Sequence, residues 1–214
     1  MFDLRDLKPI DLTLPLRKGM RGFDWNVSNT VKDHGWNAST LHIYSHTGTH
    51  MDAPLHFEAG KGTIDEYPVS RFLGKAWIIR TTVNTPGYLH TVKDLGDLEK
   101  RFSPGDSLIL QTQWSQFENQ NKYRDELPRV GKDLAVWCVE NQVNMLAVEP
   151  PSVADVNNLP ELTQIHQILL KGNVIIIEGL TNLEQLVGDS AILMALPLKV
   201  SGGDGAPARV IAFN

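Results

Sequence analysis

The chain has 214 residues, 42% of them hydrophobic and 21% charged, with a formal net charge of −5. That is enough apolar material for one full core, and the acidic balance leaves no basic field for nucleic acid. The one cysteine, Cys138, excludes an internal disulfide and fits a reducing compartment, with its thiol as a small core group.

Met1-Phe2-Asp3-Leu4-Arg5-Asp6 carries charges where a secretory leader needs an apolar run, and no apolar stretch is long enough to span a membrane. The expectation is a cytoplasmic chain forming one domain, residues 1–214, without repeats. Ile10-Asp11-Leu12-Thr13-Leu14-Pro15-Leu16 alternates as a half-buried strand that ends at an edge near Pro15. Residues 18–37 show no period: Gly19, Gly22, Asn26, Asn29 and Gly35 interrupt it. This excursion carries Phe23, Trp25 and Trp36, either a satellite core or the wall of a ligand pocket. His34 within it reads as an exposed loop residue.

Ser39 to His46 reads as a strand with His42, Tyr44 and His46 on one face. It feeds His46-Thr47-Gly48-Thr49-His50-Met51-Asp52-Ala53-Pro54-Leu55-His56-Phe57, which sets three histidines and a carboxylate within eleven positions. Gly48 and Pro54 rule out a regular helix, so these side chains converge through a turn. Imidazole with carboxylate is the donor set for zinc or manganese. The plain alternative is a polar loop whose histidines cap backbone groups. The threonine hydroxyls and Gly48 read as shaping the loop.

Further on, Pro68 to Phe72 reads as a helical turn stopped by Gly74, and Ala76-Trp77-Ile78-Ile79 as a strand. Thr91 to Asp94 resembles a capping box, opening a helix with Val92, Leu95, Leu98 and Phe102 on one face. His90, just before it, reads as a surface residue. Ser107 to Leu110 and Met145 to Val148 are short buried strands, and Leu134, Trp137 and Cys138 mark a helix between them. Pro160 opens a helix bearing Ile165, His166, Leu169 and Leu170, with Gly172 as the stop. Val174-Ile175-Ile176-Ile177-Glu178 is a strand buried on both faces. Strands follow over Ala191 to Leu196 and Ala208 to Phe213. Strands alternating with helices give an α/β class: a mixed sheet or open barrel with outer helices. Glu178 closes a buried strand, where α/β sheets place ligands; locally it could instead belong to a turn before a Thr181–Glu184 capping box. His166 among apolar neighbours could be a packed core histidine.

His-x-Gly-Thr-His-x-Asp-x-Pro-x-His-Phe resembles the hallmark of the cyclase family of metal-dependent amide hydrolases, which includes bacterial kynurenine formamidases and isatin hydrolases. The similarity extends to His166-Gln167-Ile168-Leu169-Leu170 before the strand ending in Glu178, to Pro151-Ser152-Val153, to Asp11–Leu16, and to Gly202-Gly203-Asp204-Gly205-Ala206-Pro207 with Ala208-Arg209-Val210. It implies a swivelling β/β/α architecture. It also implies that His46, His50 and Asp52 bind Zn2+ or Mn2+, and that Asp52, His166 and Glu178 hold a second ion. Metal-activated hydroxide would then attack an amide carbonyl, with His56 as general base and Glu178 sharing the proton traffic. The substrate would be an N-formyl aryl amide, as in tryptophan catabolism, or else a cyclic amide or lactone; the rival from another class is a metal-binding protein without catalysis. Homo-oligomers, at least dimers, with no membrane partner are implied as well. The sequence departs from the family where Phe23-Asp24-Trp25 replaces Trp-Pro-Gly-Asp and Gln111-Thr112-Gln113-Trp114 replaces Arg-Thr-Gly-Trp. Both regions are expected to line the substrate pocket, which makes Phe23, Trp25 and Trp114 candidate substrate contacts.

Overall fold

The computed structural model describes residues 8–81 and 85–214; the expectation about Met1–Asp6 lies outside them. In chain order the elements are β1 (Pro9–Asp11), β2 (Phe23–Asn29), α1 (Val31–His34), β3 (Ala38–Ile43), β4 (His50–Asp52), β5 (Leu73–Arg80) and β6 (Leu89–His90). They continue with β7 (Ser107–Gln111), α2 (Lys122–Asp125), β8 (Arg129–Val130), α3 (Lys132–Glu140), β9 (Met145–Val148), α4 (Leu159–Lys171), β10 (Ile175–Glu178), β11 (Ser190–Pro197) and β12 (Gly205–Phe213).

The main sheet runs β12-β11-β5-β7-β9-β10-β4, and β4 pairs back onto β12, so it closes as a mixed barrel, with β1 added outside the ring on β12. β5, β7, β9 and β10 are parallel to one another, and the remaining pairs are antiparallel. The expected α/β class with outer helices holds, and the barrel is closed where the sequence suggested an open one. Strand alternation divides the apolar residues between two cores. Met51, Ile109, Met145, Ala147, Ile175, Ile177 and Val210 fill the barrel. Leu108, Leu110, Leu146, Val148 and Ile176 face outward onto α3 and α4, which return Leu134, Trp137, Cys138, Ile165 and Leu169. Burial lifts the Cys138 thiol to about 12, as suits a core residue. Among the described residues no helix is long and apolar enough to cross a membrane.

The structure corrects several local expectations. The excursion at 18–37 contains β2, which pairs with β3 as an antiparallel hairpin, with α1 at its tip. Most of its residues are exposed, so no apolar period marked it. β3 stops at Ile43 rather than running to His46, because the chain turns at Ser45 and His46. The opening strand is only three residues, continued by a single bridge from Thr13 to Leu180, although Leu12 and Leu14 are buried as the alternation implied. Gly74 lies inside β5, so Leu73 and not glycine ends the preceding turn. The Thr91 capping box forms, but it opens 3-10 turns broken at Gly96. His90 is buried in β6, held between the β8 pairing and the Tyr88 ring, not on the surface.

Candidate metal centre

β4 is only His50-Met51-Asp52, and its alternation decides the site. Met51 enters the barrel core, so His50 and Asp52 face out. Register sets His50 opposite Glu178 and Asp52 opposite Ile176 on β10, the strand face that α4 covers. α4 packs Ile165 and Leu169 on that face and thereby brings His166 to the same point. The helix starts cleanly because Asn158 accepts the Glu161 amide and Pro160 occupies the first turn.

Four buried side chains therefore converge. His50 Nε2 lies 3.2 Å from Glu178 Oε2 and 3.6 Å from Asp52 Oδ1. His166 Nε2 lies 3.4 Å from Glu178 Oε1 and 3.7 Å from Asp52 Oδ2. Most of these separations are long for hydrogen bonds. They match the edge of a tetrahedron, ~3.4 Å for metal–ligand bonds of ~2.1 Å. Asp52 Oδ2 is buried with no hydrogen-bond partner, a costly state that a cation would relieve. Each histidine spends its other nitrogen on a carbonyl: His50 Nδ1 donates to Gly48 O at 3.0 Å and His166 Nδ1 to Leu162 O at 2.7 Å. Those carbonyls fix the tautomer and leave both Nε2 atoms for an ion. The residues present thus fit a divalent metal.

His46 forms the adjoining half. Its Nδ1 lies 2.9 Å from Asp52 Oδ1 and its Nε2 2.9 Å from Asp204 Oδ2. His56 stacks on it, with ring centroids 3.7 Å apart, and His56 Nδ1 is 3.5 Å from the same Asp204 oxygen. Donor atoms of His46, Asp52 and His56 lie within 4.8 Å of one another, as do those of His50, Asp52 and Glu178. The expected ligands are thus gathered around Asp52, but His50 stands with Glu178 and His166, and His46 with His56. The loop is shaped as expected. Thr47 donates to Arg21 O, and Thr49 donates to Gly179 O while accepting from Leu14 N–H. Gly48 has φ +59, a conformation that favours glycine.

The buried histidines and carboxylates also shift one another's titration. Burial opposes the charge on His46, yet its bonds to Asp52 and then Asp204 raise it to about 9. Burial likewise opposes protonation of His50 and His166, and Glu178 beside each lifts them above the ordinary histidine value. Burial works against the charge on Asp52, but the His46 bond and the neighbouring histidines hold its carboxyl low. Glu178 is also held low, against burial and the Asp52 charge, by His166 and His50. His56 differs: burial leads, and its pKa falls below the ordinary value.

A cavity of about 860 Å3 opens onto His46, His50, His56, His166 and Glu178, with Leu14, Met20, Tyr44, Phe57 and Tyr123 among its walls. None of the three aromatic residues expected at the substrate lines it. Trp114 is buried one layer behind, packed on Leu14, Tyr123 and Leu127, and its indole N–H donates to Tyr123 O. Phe23 is buried at the base of the hairpin, opposite Ile43. Trp25 lies half-buried on β2 under Lys18. Sequence reasoning quoted Asp204 only within a matching stretch and gave it no role; a lone carboxylate between glycines was the available signal. It also passed over Glu149, a buried carboxylate that accepts the Thr112 and Trp114 amides and fixes the turn carrying Trp114.

Residues 10–155 match the model of the family described as "Putative cyclase". A kynurenine formamidase of Bacillus thuringiensis (strain Al Hakam) is 32% identical over 213 residues, spanning 94% of this chain and 95% of that one. Among solved structures, isatin hydrolase A from Labrenzia aggregata, bound to benzyl benzoate, superposes with a TM-score of 0.87 over 97% of this chain and 93% of that one, at 22% identity. A predicted metal-dependent hydrolase from Bacillus stearothermophilus does so with a TM-score of 0.77 over 97% of this chain and 98% of that one, at 27% identity.

Proposed function

The chain belongs to the cyclase family, and from that premise we propose that it is a metal-dependent amide hydrolase acting on an N-formyl aryl amide to give the amine and formate. The observation that carries this reading is the buried cage of His50, Asp52, His166 and Glu178 at tetrahedral-edge spacing, with a cavity reaching three of its members. These four, with His46 beside Asp52, would hold Zn2+ or Mn2+, and two donor groups sharing Asp52 leave room for one ion or two. Such an ion supplies Lewis acidity to the amide carbonyl and acidifies water.

The remaining chemistry falls to the chain's own side chains. His56 borders the cavity, and burial keeps its imidazole neutral near pH 7. It can therefore take a proton at Nε2 and return it to the leaving nitrogen. Glu178 accepts the Val153 N–H through Oε1 and faces both cage histidines, so it is better employed holding the site than moving protons. Met20, Tyr44 and Phe57 offer an apolar wall for an aryl group.

A cyclic amide or lactone would use the same groups with the leaving atom tethered. The formamidase relative, at 32% identity over nearly the whole chain, favours the open N-formyl substrate. A cage closed by four protein ligands is the form of a non-catalytic metal site; cavity access to His50, His166 and Glu178 favours catalysis. We also infer a homo-oligomer in a reducing, cytoplasmic setting. The β2–β3 hairpin exposes Val27, Trp36, Leu41 and Tyr44, and Tyr44 continues into the cavity wall. A second copy on the hairpin would cover that surface beside the site.

Elemental analysis of purified protein, with N-formyl and cyclic amide substrates assayed before and after chelation, tests the proposal. The expected result is stoichiometric divalent metal, N-formyl turnover lost on chelation, and recovery on adding Zn2+ or Mn2+. Full turnover by metal-free protein would refute it.

A further inference from the structure

We propose that Asp204 is the positioning residue of the site, directing one nitrogen of His46 toward the metal and orienting His56. The inference rests on the metal-hydrolase reading above. His46 has acidic neighbours on both sides: Nδ1 faces Asp52, and Nε2 faces Asp204 Oδ2, each at 2.9 Å. In the proposed centre His46 binds the ion beside Asp52, so on the loaded protein the His46 nitrogen facing Asp52 offers a lone pair. A neutral imidazole has one proton, and that proton must then sit on Nε2, where Asp204 accepts it. Among the described residues, Asp204 is the hydrogen-bond partner of His46 Nε2, and without it the proton there loses its acceptor. The ring could then take the opposite tautomer and direct N–H at the ion.

The same Oδ2 lies 3.5 Å from His56 Nδ1, and the His56 ring stacks on His46. Charge attraction from Asp204 favours the proton on His56 Nδ1 and leaves Nε2 as the basic nitrogen. The His46 contact is a full hydrogen bond and the His56 contact a longer one, so the larger effect falls on His46.

The backbone around Asp204 is built for this approach. Ala53 N–H donates to Asp204 O and Ile64 N–H to Gly203 O, tying the turn to the loop that follows β4. A Cβ on Gly205 would lie 2.6 Å from His46 Cε1, so only glycine lets the ring rest against this segment.

The test compares wild type, Asp204→Asn and Asp204→Ala. Zn2+ affinity is measured by competition with a chromogenic chelator, and histidine tautomers by 15N NMR of the Zn2+-loaded proteins. Asp204→Ala should weaken Zn2+ binding by about 10–100-fold, with loss of the Nε2–H signature at His46. Asn keeps an acceptor but no charge, so Asp204→Asn should fall between the two. On an N-formyl aryl amide, kcat should drop in the same order, with KM changed less than about twofold. Wild-type Zn2+ affinity and wild-type tautomers in either variant would overturn the proposal. If Asp204→Ala fails to fold, Asp204→Asn decides alone. Wild type that binds no Zn2+ would instead defeat the metal-hydrolase reading beneath it.

Discussion

His50 and Glu178 are direct cross-strand partners, with Nε2 and Oε2 3.2 Å apart on the antiparallel ladder between β4 and β10. One residue of register slip in β4 would turn His50 and Asp52 into the barrel and away from Glu178, whose face is fixed by the pairing of β10 with β9. The donor geometry is therefore set by strand pairing as much as by the side chains themselves.

Base and ligand are separable by mutation. His56→Ala should lower kcat by about 10²–10⁴-fold and retain the metal, whereas Asp52→Ala should lose the metal, since Asp52 belongs to both donor groups. Metal content and kcat of the two variants check this. Equal metal loss would make His56 a ligand, which its distance from His46 and Asp52 permits.

Gly179, just past Glu178, has φ +72, and a Cβ there would lie 2.4 Å from Gly48 O. Gly179→Ala should cost about 1–3 kcal/mol from backbone strain, and more as the loop ahead of His50 moves aside. Urea midpoints should fall, and Zn2+ affinity with them. An unchanged midpoint would mean the two turns separate freely.

His90 predicts acid sensitivity away from the metal. Burial, outweighing attraction from Asp94, lowers its pKa to about 4, against about 6.5 in the unfolded chain. The folded state thus favours the neutral ring. As pH falls below about 6.5 the unfolded chain gains a proton that the native chain refuses, and stability declines until about pH 4, levelling off below. The contribution is roughly 3 kcal/mol. Urea unfolding at pH 7, 5.5 and 4 should show a shallower decline in His90→Leu than in wild type. Parallel curves would show that His90 is not the group responsible.

The hairpin should govern assembly. Val27 is 60% exposed, Trp36 58% and Leu41 55%, an apolar surface that charge would spoil. Wild type should sediment as a dimer or larger, and Leu41→Glu or Trp36→Glu should shift it toward monomer without loss of bound metal. A wild-type monomer at micromolar concentration would remove the assembly proposal. Trp25→Ala should leave KM unchanged, because Trp25 lies outside the cavity walls.

The barrel strands were legible because they are buried on both faces. Leu108 to Leu110, Met145 to Val148 and Ile175 to Ile177 are continuous apolar runs, one parity filling the barrel and the other meeting helices. β2 was hidden for the opposite reason: an exposed strand leaves no apolar period to read. The donor cluster stood out by residue type, and the convergence of His166 and Glu178 with the loop rested on family resemblance. Spacing along the chain could not group the donors, because the grouping follows the register between β4 and β10. Barrel closure was invisible, since it depends on Gly205 to Pro207 meeting a strand far back in the chain. Sequence could not place the aromatic residues, because indole and phenyl groups look alike in a pocket wall and in a packed layer behind one; Trp114, 1% exposed, belongs to the layer.

β12 divides its attention: Gly205 to Pro207 pair with β4, and the residues from Ala208 onward run along β11. The donor loop leaves the ribosome early, but one flank of β4 stays open until the final strand arrives. A chain lacking β12 would hold β4 by its β10 flank alone. If the cage binds an ion, loading should follow the arrival of β12, and a chain cut before Gly205 should bind Zn2+ more weakly than the full chain.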